Sequence, residues 1–208
     1  MKKIMLVAAL GALLPVPALA QDYDDATETE STARSGLRIE ARALWERIND
    51  PDEANQINYE LGSGPGFGGE IGYDIAVSDT VVVGPFGTYE FSTVEECDGN
   101  LCVSSGGFWA AGLHVGIATG TNSQAYIKGA YSQLTVDLVG PFTDPITNTT
   151  INFDESETGG GYQAAFGYEQ GFGQNAYGRI ELGIGTNTDI YGFDFQRSSI
   201  AVAIGTRF

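Results

Sequence analysis

The 208-residue sequence predicts an all-β protein, a closed eight-stranded antiparallel up-and-down transmembrane β-barrel. Three observations predict this fold. An export signal precedes the rest of the chain, eight later segments alternate apolar and polar residues, and tight and long connections alternate between these segments. Because no later window contains about 18 consecutive apolar residues, a transmembrane helix is not expected.

The N-terminal segment has the three parts of a secretory signal peptide. Lys2 and Lys3 are positively charged, residues 4–14 are apolar, and residues 18–20 read Ala-Leu-Ala, a small-residue cleavage site. We therefore expect residues 1–20 to be removed. An uncleaved membrane anchor is the alternative, but the apolar run is short for a spanning helix and two prolines follow it.

The next segment, residues 21–34, is acidic, rich in threonine and without apolar periodicity, so we expect a disordered periplasmic tail before a barrel at residues 35–208. The net charge is −17, and loss of the two signal lysines makes it −19. Such a charge opposes binding of nucleic acid and favours divalent cations or basic partners. The simplest interpretation places most acidic residues in the tail and in solvated loops.

The first predicted strand, residues 35–48, has one apolar face and one charged face. The apolar face carries Leu37, Ile39, Ala41, Ala43 and Trp45, and the charged face carries Arg38, Glu40, Arg42 and Glu46. Charges at every second residue exclude a helix, and the core of a soluble sandwich would not accept the charged face.

The second to fourth strands, residues 67–77, 80–94 and 108–119, repeat this alternation. Their outer faces carry Phe67, Ile71, Tyr73, Val81, Tyr89, Trp109, Leu113 and Ile117, and their inner faces carry Glu70, Asp74, Glu90 and His114. Pro85 interrupts the third strand and indicates a bulge or a bend, because proline cannot donate to a ladder.

The fifth to eighth strands, residues 124–138, 160–169, 176–185 and 191–208, are typical of a wall between lipid and a polar lumen. Their outer faces carry Ile127, Tyr131, Tyr162, Phe166, Ile180, Leu182, Ile200, Val202 and Ile204, and their inner faces carry Lys128, Arg179 and Glu181. Apolar-out, polar-in alternation is the pattern of transmembrane barrel strands.

An eight-stranded barrel is barely wide enough for its inner side chains, and buried charges must pair or be hydrated. We therefore expect a polar network that plugs the lumen. Its predicted members are Arg38, Glu40, Arg42, Glu70, Asp74, Glu90, His114, Lys128, Arg179 and Glu181. A narrow pore that prefers cations is the open alternative.

The predicted connections alternate in length. Residues 48–66, 92–107 and 137–159 form long loops and 186–189 a modest one, whereas 78–79, 120–123 and 170–174 are short. Short periplasmic turns and longer outer loops are typical of these barrels, and an even strand number places both termini in the periplasm.

Cys97 and Cys102 predict a local disulfide, because an exported protein meets an oxidising compartment. A metal pair is the alternative, although no histidine lies nearby. Nearby carboxylates could bind calcium but lack the ordered spacing of an EF-hand loop, so no metal or cofactor is expected. These carboxylates are Glu95, Glu96 and Asp98, with Asp144, Asp154, Glu155 and Glu157 in the third long loop.

Four stretches resemble the opacity-type and OmpA-like outer-membrane β-barrel family. They are Phe67–Tyr73 (FGGEIGY), Trp109–Leu113, Ala125–Ser132 and the terminal strand Ile200–Phe208, and the resemblance covers the chain from residue 35 onward. In that family a terminal aromatic residue, here Phe208, belongs to the signal read by the barrel-assembly machinery. The family's peptidoglycan-binding domain has no counterpart here.

The resemblance implies an integral outer-membrane protein with surface-exposed loops and an adhesin-like or envelope-integrity role. Its expected partners are outer-membrane lipids and lipopolysaccharide, the barrel-assembly machinery and an extracellular partner of the loops. The family shares no catalytic site. The cation channel described above is the second hypothesis.

A lipid-modifying enzyme centred on His114, the one histidine in the chain, is the third hypothesis. Cross-strand Ser132 or Ser199 could approach His114, and a serine hydrolase needs such a pair with an orienting carboxylate. The His-x-Ser pair of deacylase-type barrels is missing, because residue 116 is glycine. The protein is therefore not expected to be an enzyme.

Overall fold

The computed structural model describes residues 34–52, 57–143 and 148–208. The expected signal peptide and nearly all of the expected tail lie outside these residues. Within them, no helix is long and apolar enough to cross a membrane. Nine strands are β1 (Gly36–Asp52), β2 (Ile57–Ala76), β3 (Val81–Ser92), β4 (Glu95–Asp98), β5 (Leu101–Gly120), β6 (Ser123–Thr143), β7 (Thr150–Phe172), β8 (Ala176–Ile190) and β9 (Phe193–Arg207).

Eight of these strands close into a ring. Each pairs antiparallel with its neighbour in sequence, except that β3 pairs directly with β5. The seam joins β1 to β9, from Arg38↔Arg207 to Asn49↔Gln196. The ninth strand, β4, pairs with β5 alone and lies outside the ring. The predicted all-β, eight-stranded up-and-down barrel is confirmed.

The lower end of the barrel holds both ends of the described chain and the turns at residues 77–80, 121–122 and 173–175. There the chain terminus is bonded to the first strand. The amide of Phe208 donates to Leu37 at 2.9 Å, and the amide of Leu37 donates back to the carbonyl of Phe208 at 3.1 Å. The ring therefore closes through the last residue of the sequence.

The outer wall carries an apolar belt between two sets of exposed aromatic residues. The belt presents Ile39, Ile71, Ile75, Leu113, Ile117, Ile127, Phe166, Ile180, Leu182, Val202 and Ile204. The upper aromatic ring is Trp45, Phe67, Tyr89, Phe91, Trp109, Tyr131 and Tyr162, and the lower one is Tyr73, Tyr168, Phe172 and Phe208. Trp109 and Tyr131 stack edge to face at 5.9 Å, and Tyr131 and Tyr162 at 6.1 Å.

Above the upper aromatic ring the strands continue instead of ending in loops. We define this upper extension as residues 47–52, 57–66, 92–107, 132–143, 148–161 and 186–196. The expected long loops are therefore mostly strand, and β6 and β7 reach 21 and 23 residues. The modest loop expected at residues 186–189 is also strand, because β8 and β9 meet at a two-residue turn.

The physical reason is an inversion of the apolar pattern along six of the eight ring strands, β1, β2, β5, β6, β8 and β9. In β6, Ile127 faces outward and Lys128 inward, whereas six residues later Leu134 and Val136 are buried and Thr135 lies outside. The apolar residues move from odd to even positions along the strand. A single alternation therefore describes only the lower part, and the upper part resembles a loop in the sequence. At Pro85 the expected bulge is absent, because the β2–β3 pairs on both sides share one register.

Candidate functional site

A network of charged side chains fills the lower part of the barrel interior. The ten residues expected in the lumen are all buried inside it. The network contains the cations Arg38, Arg42, Lys128, Arg179, Arg197 and Arg207, and the carboxylates Glu40, Glu46, Glu70, Asp74, Glu90, Glu169 and Glu181. The numbers of positive and negative side chains are nearly equal, because so many buried ions must pair with one another.

Glu70 on β2 is the centre of this network. Its carboxylate accepts hydrogen bonds from Lys128 at 2.6 Å, Arg42 at 3.0 Å and Arg38 at 3.2 Å. Glu181, across the lumen on β8, lies 2.6 Å from both Arg42 and Lys128. Each carboxylate is shared between cations from other strands, so the network ties opposite walls together.

The lower layer of the network contains two residues that were not among the expected lumen set. Arg207 donates to Asp74 at 2.9 Å and to Glu169 at 2.9 Å, and Arg179 donates to Glu169 at 2.8 Å. Arg207 and Glu169 both lie on inner faces of predicted strands, so the same alternation would have identified them. The tyrosines Tyr126 and Tyr177, also unexpected, donate to Glu181 and Glu40.

The mouth at the lower end is crossed by Arg34. This residue precedes β1, and its guanidinium donates to the Asn122 side chain in the β5–β6 turn. β1 and that turn lie on opposite sides of the ring. A charged side chain therefore spans the lower opening.

Arg197 marks the upper limit of the charged network. It donates to Glu90 at 2.6 Å and to Glu46, and its guanidinium carbon lies 4.0 Å from the centre of the Phe108 ring. Arg197 and Glu46 were not among the expected lumen set. This arginine joins the charged layer below to an apolar layer above.

The apolar layer was not expected from the sequence. It is a cluster of buried residues from β1, β2, β5, β6, β8 and β9 and from the β3–β4 connection: Ile48, Leu61, Val94, Phe108, Ala110, Leu134, Val136, Ile190 and Phe195. The expected polar network therefore occupies only the lower part of the interior. Packed apolar side chains form most of the inside of the upper extension, together with buried Asp50, Ser132 and Asn187.

His114 is enclosed in the charged network. Its Nδ1 lies 3.2 Å from an oxygen of Asp74, and its ring lies 5.1 Å from that of Tyr126. Ser132 is four positions beyond Lys128, the strand partner of His114, which is about 13 Å along β6. Ser132 instead accepts a bond from Asn187 at 3.3 Å, and Ser199 pairs with Glu46 higher in the barrel. The histidine has an orienting carboxylate, but neither candidate serine, Ser132 or Ser199, lies beside it.

The upper extension contains the disulfide. Cys97 and Cys102 are bonded, as expected, and join β4 to β5 at a non-terminal pair of the hairpin. The bond removes both thiolates as metal ligands, so the alternative of a cysteine metal pair is excluded.

The carboxylates considered as possible calcium ligands do not form a cluster of three in the described part of the chain. In β4, the register places Glu95 on the face opposite Glu96 and Asp98. In β7, Glu157 accepts a hydrogen bond from the Tyr191 amide at 2.6 Å. Asp144 lies outside the described residues.

The surface of the upper extension is strongly acidic. Its described surface carboxylates are Glu60, Glu95, Glu96, Asp98, Asp137, Asp154, Glu155, Glu157, Asp189 and Asp194. Among the described residues of the extension, Arg47 is the one cation, and it pairs with Glu60 at 3.0 Å. Partial burial and then the surrounding carboxylates raise the pKa of the Tyr191 hydroxyl. Positive charge is therefore favoured near this surface.

No protein-family model and no curated protein sequence matches the chain. Solved structures do match. Neisserial surface protein A has a TM-score of 0.55 at 12% identity over 84% of this chain and 98% of its own. Ail, the attachment invasion locus protein of Yersinia pestis, has a TM-score of 0.54 at 9% identity over 84% of this chain and 100% of its own.

Ail is also known in complex with the heparin analogue sucrose octasulfate, a structure with a TM-score of 0.53 at 10% identity over 85% of this chain and 100% of its own. These are small outer-membrane barrels of the kind that the sequence resembles. At such identities the likeness is one of fold.

Proposed function

We propose that the protein is a non-conducting integral β-barrel of the Gram-negative outer membrane that presents its upper extension outside the cell as an interaction surface. The observation that carries the proposal is the continuous, paired extension above a filled lumen. A channel would need an open interior, and a purely structural barrel would not need strands of about twice the membrane-spanning length.

The outer wall supports the membrane assignment. From Tyr162 to Phe172, β7 rises about 34 Å along its own direction, which a tilt near 40° reduces to about 25 Å along the barrel axis. This matches the apolar band of outer-membrane barrels. Above the level of Tyr162, apolar side chains of β1, β2, β5, β6, β8 and β9 turn inward and form the buried cluster. The upper aromatic ring therefore lies at the boundary of the bilayer with water.

The same assignment orients the molecule. The short turns and both ends of the described chain lie at the lower end, which we place in the periplasm with the acidic tail of residues 21–34. Signal-directed export, insertion by the assembly machinery through Phe208, and contact of the belt with lipid and lipopolysaccharide belong to this proposal.

The alternatives are less well supported. A cation channel would have to pass both the Glu70 network and the apolar layer around Leu134. A lipid-modifying reaction at His114 would need a nucleophile, and this side chain is fully buried. The Ail complex contains a polyanion, whereas the acidic extension here would repel one. We therefore infer that an external partner carries positive charge.

Display of the extension is tested with two epitope insertions in intact cells. One is placed between Gly99 and Asn100 in the β4–β5 turn, and its matched control between Thr121 and Asn122 in the β5–β6 turn. We expect antibody to label the first on intact cells and the second only after the outer membrane is permeabilised. The reverse result, or labelling of both, would contradict the proposed orientation.

Conductance tests the filled lumen. The mature chain is refolded and inserted into a planar bilayer. Protein from the same preparation is shown to be folded by its resistance to unfolding in unheated detergent. We expect an electrically silent bilayer. Stable, cation-selective openings would show that the interior conducts and would replace this proposal with the channel hypothesis.

A further inference from the structure

The apolar layer reaches the surface of the upper extension at one cleft. Its volume is about 220 Å³, and it lies between β2, the β4–β5 hairpin and the start of β9. Leu61 and Phe195 form its floor and belong to the buried apolar cluster. Leu101, Val103 and Phe193 form its half-exposed walls.

Three carboxylates surround this otherwise apolar cleft. They belong to Glu60, Glu96 and Asp98, all exposed. The hairpin register explains the position of two of them, because Glu96 pairs with Val103 and Asp98 with Leu101, so that all four face the cleft. Glu60 has Arg47 as its partner.

The geometry points to the binding of a basic peptide segment, with one aromatic or branched side chain in this cleft and flanking lysines or arginines on Glu96 and Asp98. The inference rests on the proposed display of the extension outside the cell. It identifies the chemistry of the external partner, a positively charged protein segment.

The size of the cleft selects a side chain over a larger ligand. Sites for whole small molecules are usually about 300–1,000 Å³, and this cleft is smaller. An aromatic side chain that enters a pocket with a charged group beside it is a common anchor at protein interfaces. A lipid tail would leave the carboxylates without a partner.

Charge excludes the chain's own segments as occupants. The tail of residues 21–34 is acidic, and Arg34, which leads into β1, lies at the opposite end of the barrel. A second copy would bring another acidic extension against this one, at a cost in repulsion. A basic segment is attracted by the whole surface before it reaches the cleft.

The disulfide makes the site rigid. Cys97 lies between Glu96 and Asp98 and points to the other face, where it is bonded to Cys102. The two-residue turn after Asp98 contains Gly99 at a φ of 63°, a conformation suited to glycine. The backbone that carries both carboxylates is therefore held in place before binding, which reduces the entropy lost on binding.

Binding is tested with the mature chain refolded in nanodiscs of zwitterionic lipid, which do not attract cations. The probe is a fluorescein-labelled peptide KKWKK, followed by anisotropy, with KKSKK and EEWEE as controls. We expect KKWKK to bind and both controls to bind much more weakly. Equal binding of KKSKK would show that no side chain enters the cleft, and equal binding of EEWEE would show that the carboxylates are irrelevant; either result would overturn the inference.

Variants locate the binding. Glu96→Gln with Asp98→Asn removes two charges at the cleft, and Glu95→Gln with Asp154→Asn removes two charges elsewhere on the same sheet. We expect the first pair to weaken KKWKK binding about fivefold and the second to change it less than about twofold. Equal effects would reduce the site to general surface charge and overturn the inference.

Leu101→Ser tests the apolar wall, with Val139→Ser on the outer face of neighbouring β6 as its control. We expect only Leu101→Ser to weaken KKWKK binding, with folding verified by mobility in unheated gels.

A second copy of the chain is the other occupant to test. If the wild-type barrel self-associates and Leu101→Ser abolishes this self-association, a second copy occupies the cleft and the inference is overturned. These titrations are independent of conductance and cell labelling, so a failure here leaves the proposed function standing.

Discussion

At the residue scale, the interior shows why the same charged side chain has different consequences in different places. Glu70 is buried and accepts hydrogen bonds from Lys128, Arg42 and Arg38. Glu60 also has a guanidinium partner, but both side chains of that pair are about half exposed, at 52% and 46%. Water can replace the exposed partner and cannot reach the buried one, so the two pairs differ in energy.

Glu70→Gln should therefore lower the free energy of unfolding by about 3–5 kcal/mol, because it removes the buried charge that Lys128, Arg42 and Arg38 share. Glu60→Gln is the matched control and should cost less than about 1 kcal/mol. Urea unfolding of both variants in detergent micelles, followed by tryptophan fluorescence, measures the difference. Similar midpoints for the two variants would contradict a filled, water-poor lumen.

At the element scale, a single strand has two environments. In β6 the apolar side chains face outward up to Tyr131 and inward from Leu134. The residue pattern of the lower part suits lipid on the outer face and a charged lumen on the inner face. The pattern of the upper part suits water on the outer face and a packed apolar core on the inner face. A strand of this kind forms both a membrane wall and the wall of a water-exposed β-structure without a linker.

This inversion also determines how much of the fold and of its interior could be predicted from the sequence. The alternation around Arg38, Lys128 and Arg179 identified the membrane part of the barrel and the charges of its interior, because one face was clearly apolar. The upper core could not be found in the same way, because Ile48, Leu134 and Phe195 are far apart in sequence and only the closed ring brings them together. The cleft depends on side chains from three hairpins and was equally hidden.

The β4–β5 hairpin should depend on its disulfide locally. In the chain-entropy model, closing so short a loop contributes about 2 kcal/mol. Replacing both Cys97 and Cys102 by serine should accelerate amide hydrogen exchange in residues 95–103 and leave the β1–β9 seam unchanged. Mass spectrometry of exchange in nanodiscs gives both readings, and equal acceleration at the seam would show that the hairpin supports the entire barrel.

At the scale of the whole molecule, charge is segregated. The described cations lie in the lumen or at the lower end, apart from Arg47, while the upper surface carries carboxylates. The nearly neutral interior favours a stable barrel, and the acidic exterior repels other copies of the same extension. If the upper extension is displayed as proposed, its negative field attracts basic partners and keeps neighbouring copies of the barrel apart.

Deletion of Phe208 separates assembly from stability. Its side chain is exposed, and the residue contributes one pair of backbone bonds to the seam. We expect the deletion to reduce the amount of folded barrel in cells severalfold and to alter refolding in detergent only slightly. Phe172→Ala, another exposed aromatic of the lower ring, is the control and should leave assembly unchanged. Equal defects in cells and in detergent would assign Phe208 a structural role alone.

The seam also has a kinetic consequence. Its two strands are the first and last of the barrel, so the contact that closes the ring has nearly the largest sequence separation that the described chain allows. Closing a loop of this length slows folding, and until closure both strands have unpaired edges. The chain therefore cannot complete its fold while it is being synthesised. Under the proposed export, the chain would enter the periplasm with the β1–β9 seam still open, and closing the seam requires Phe208 to reach Leu37.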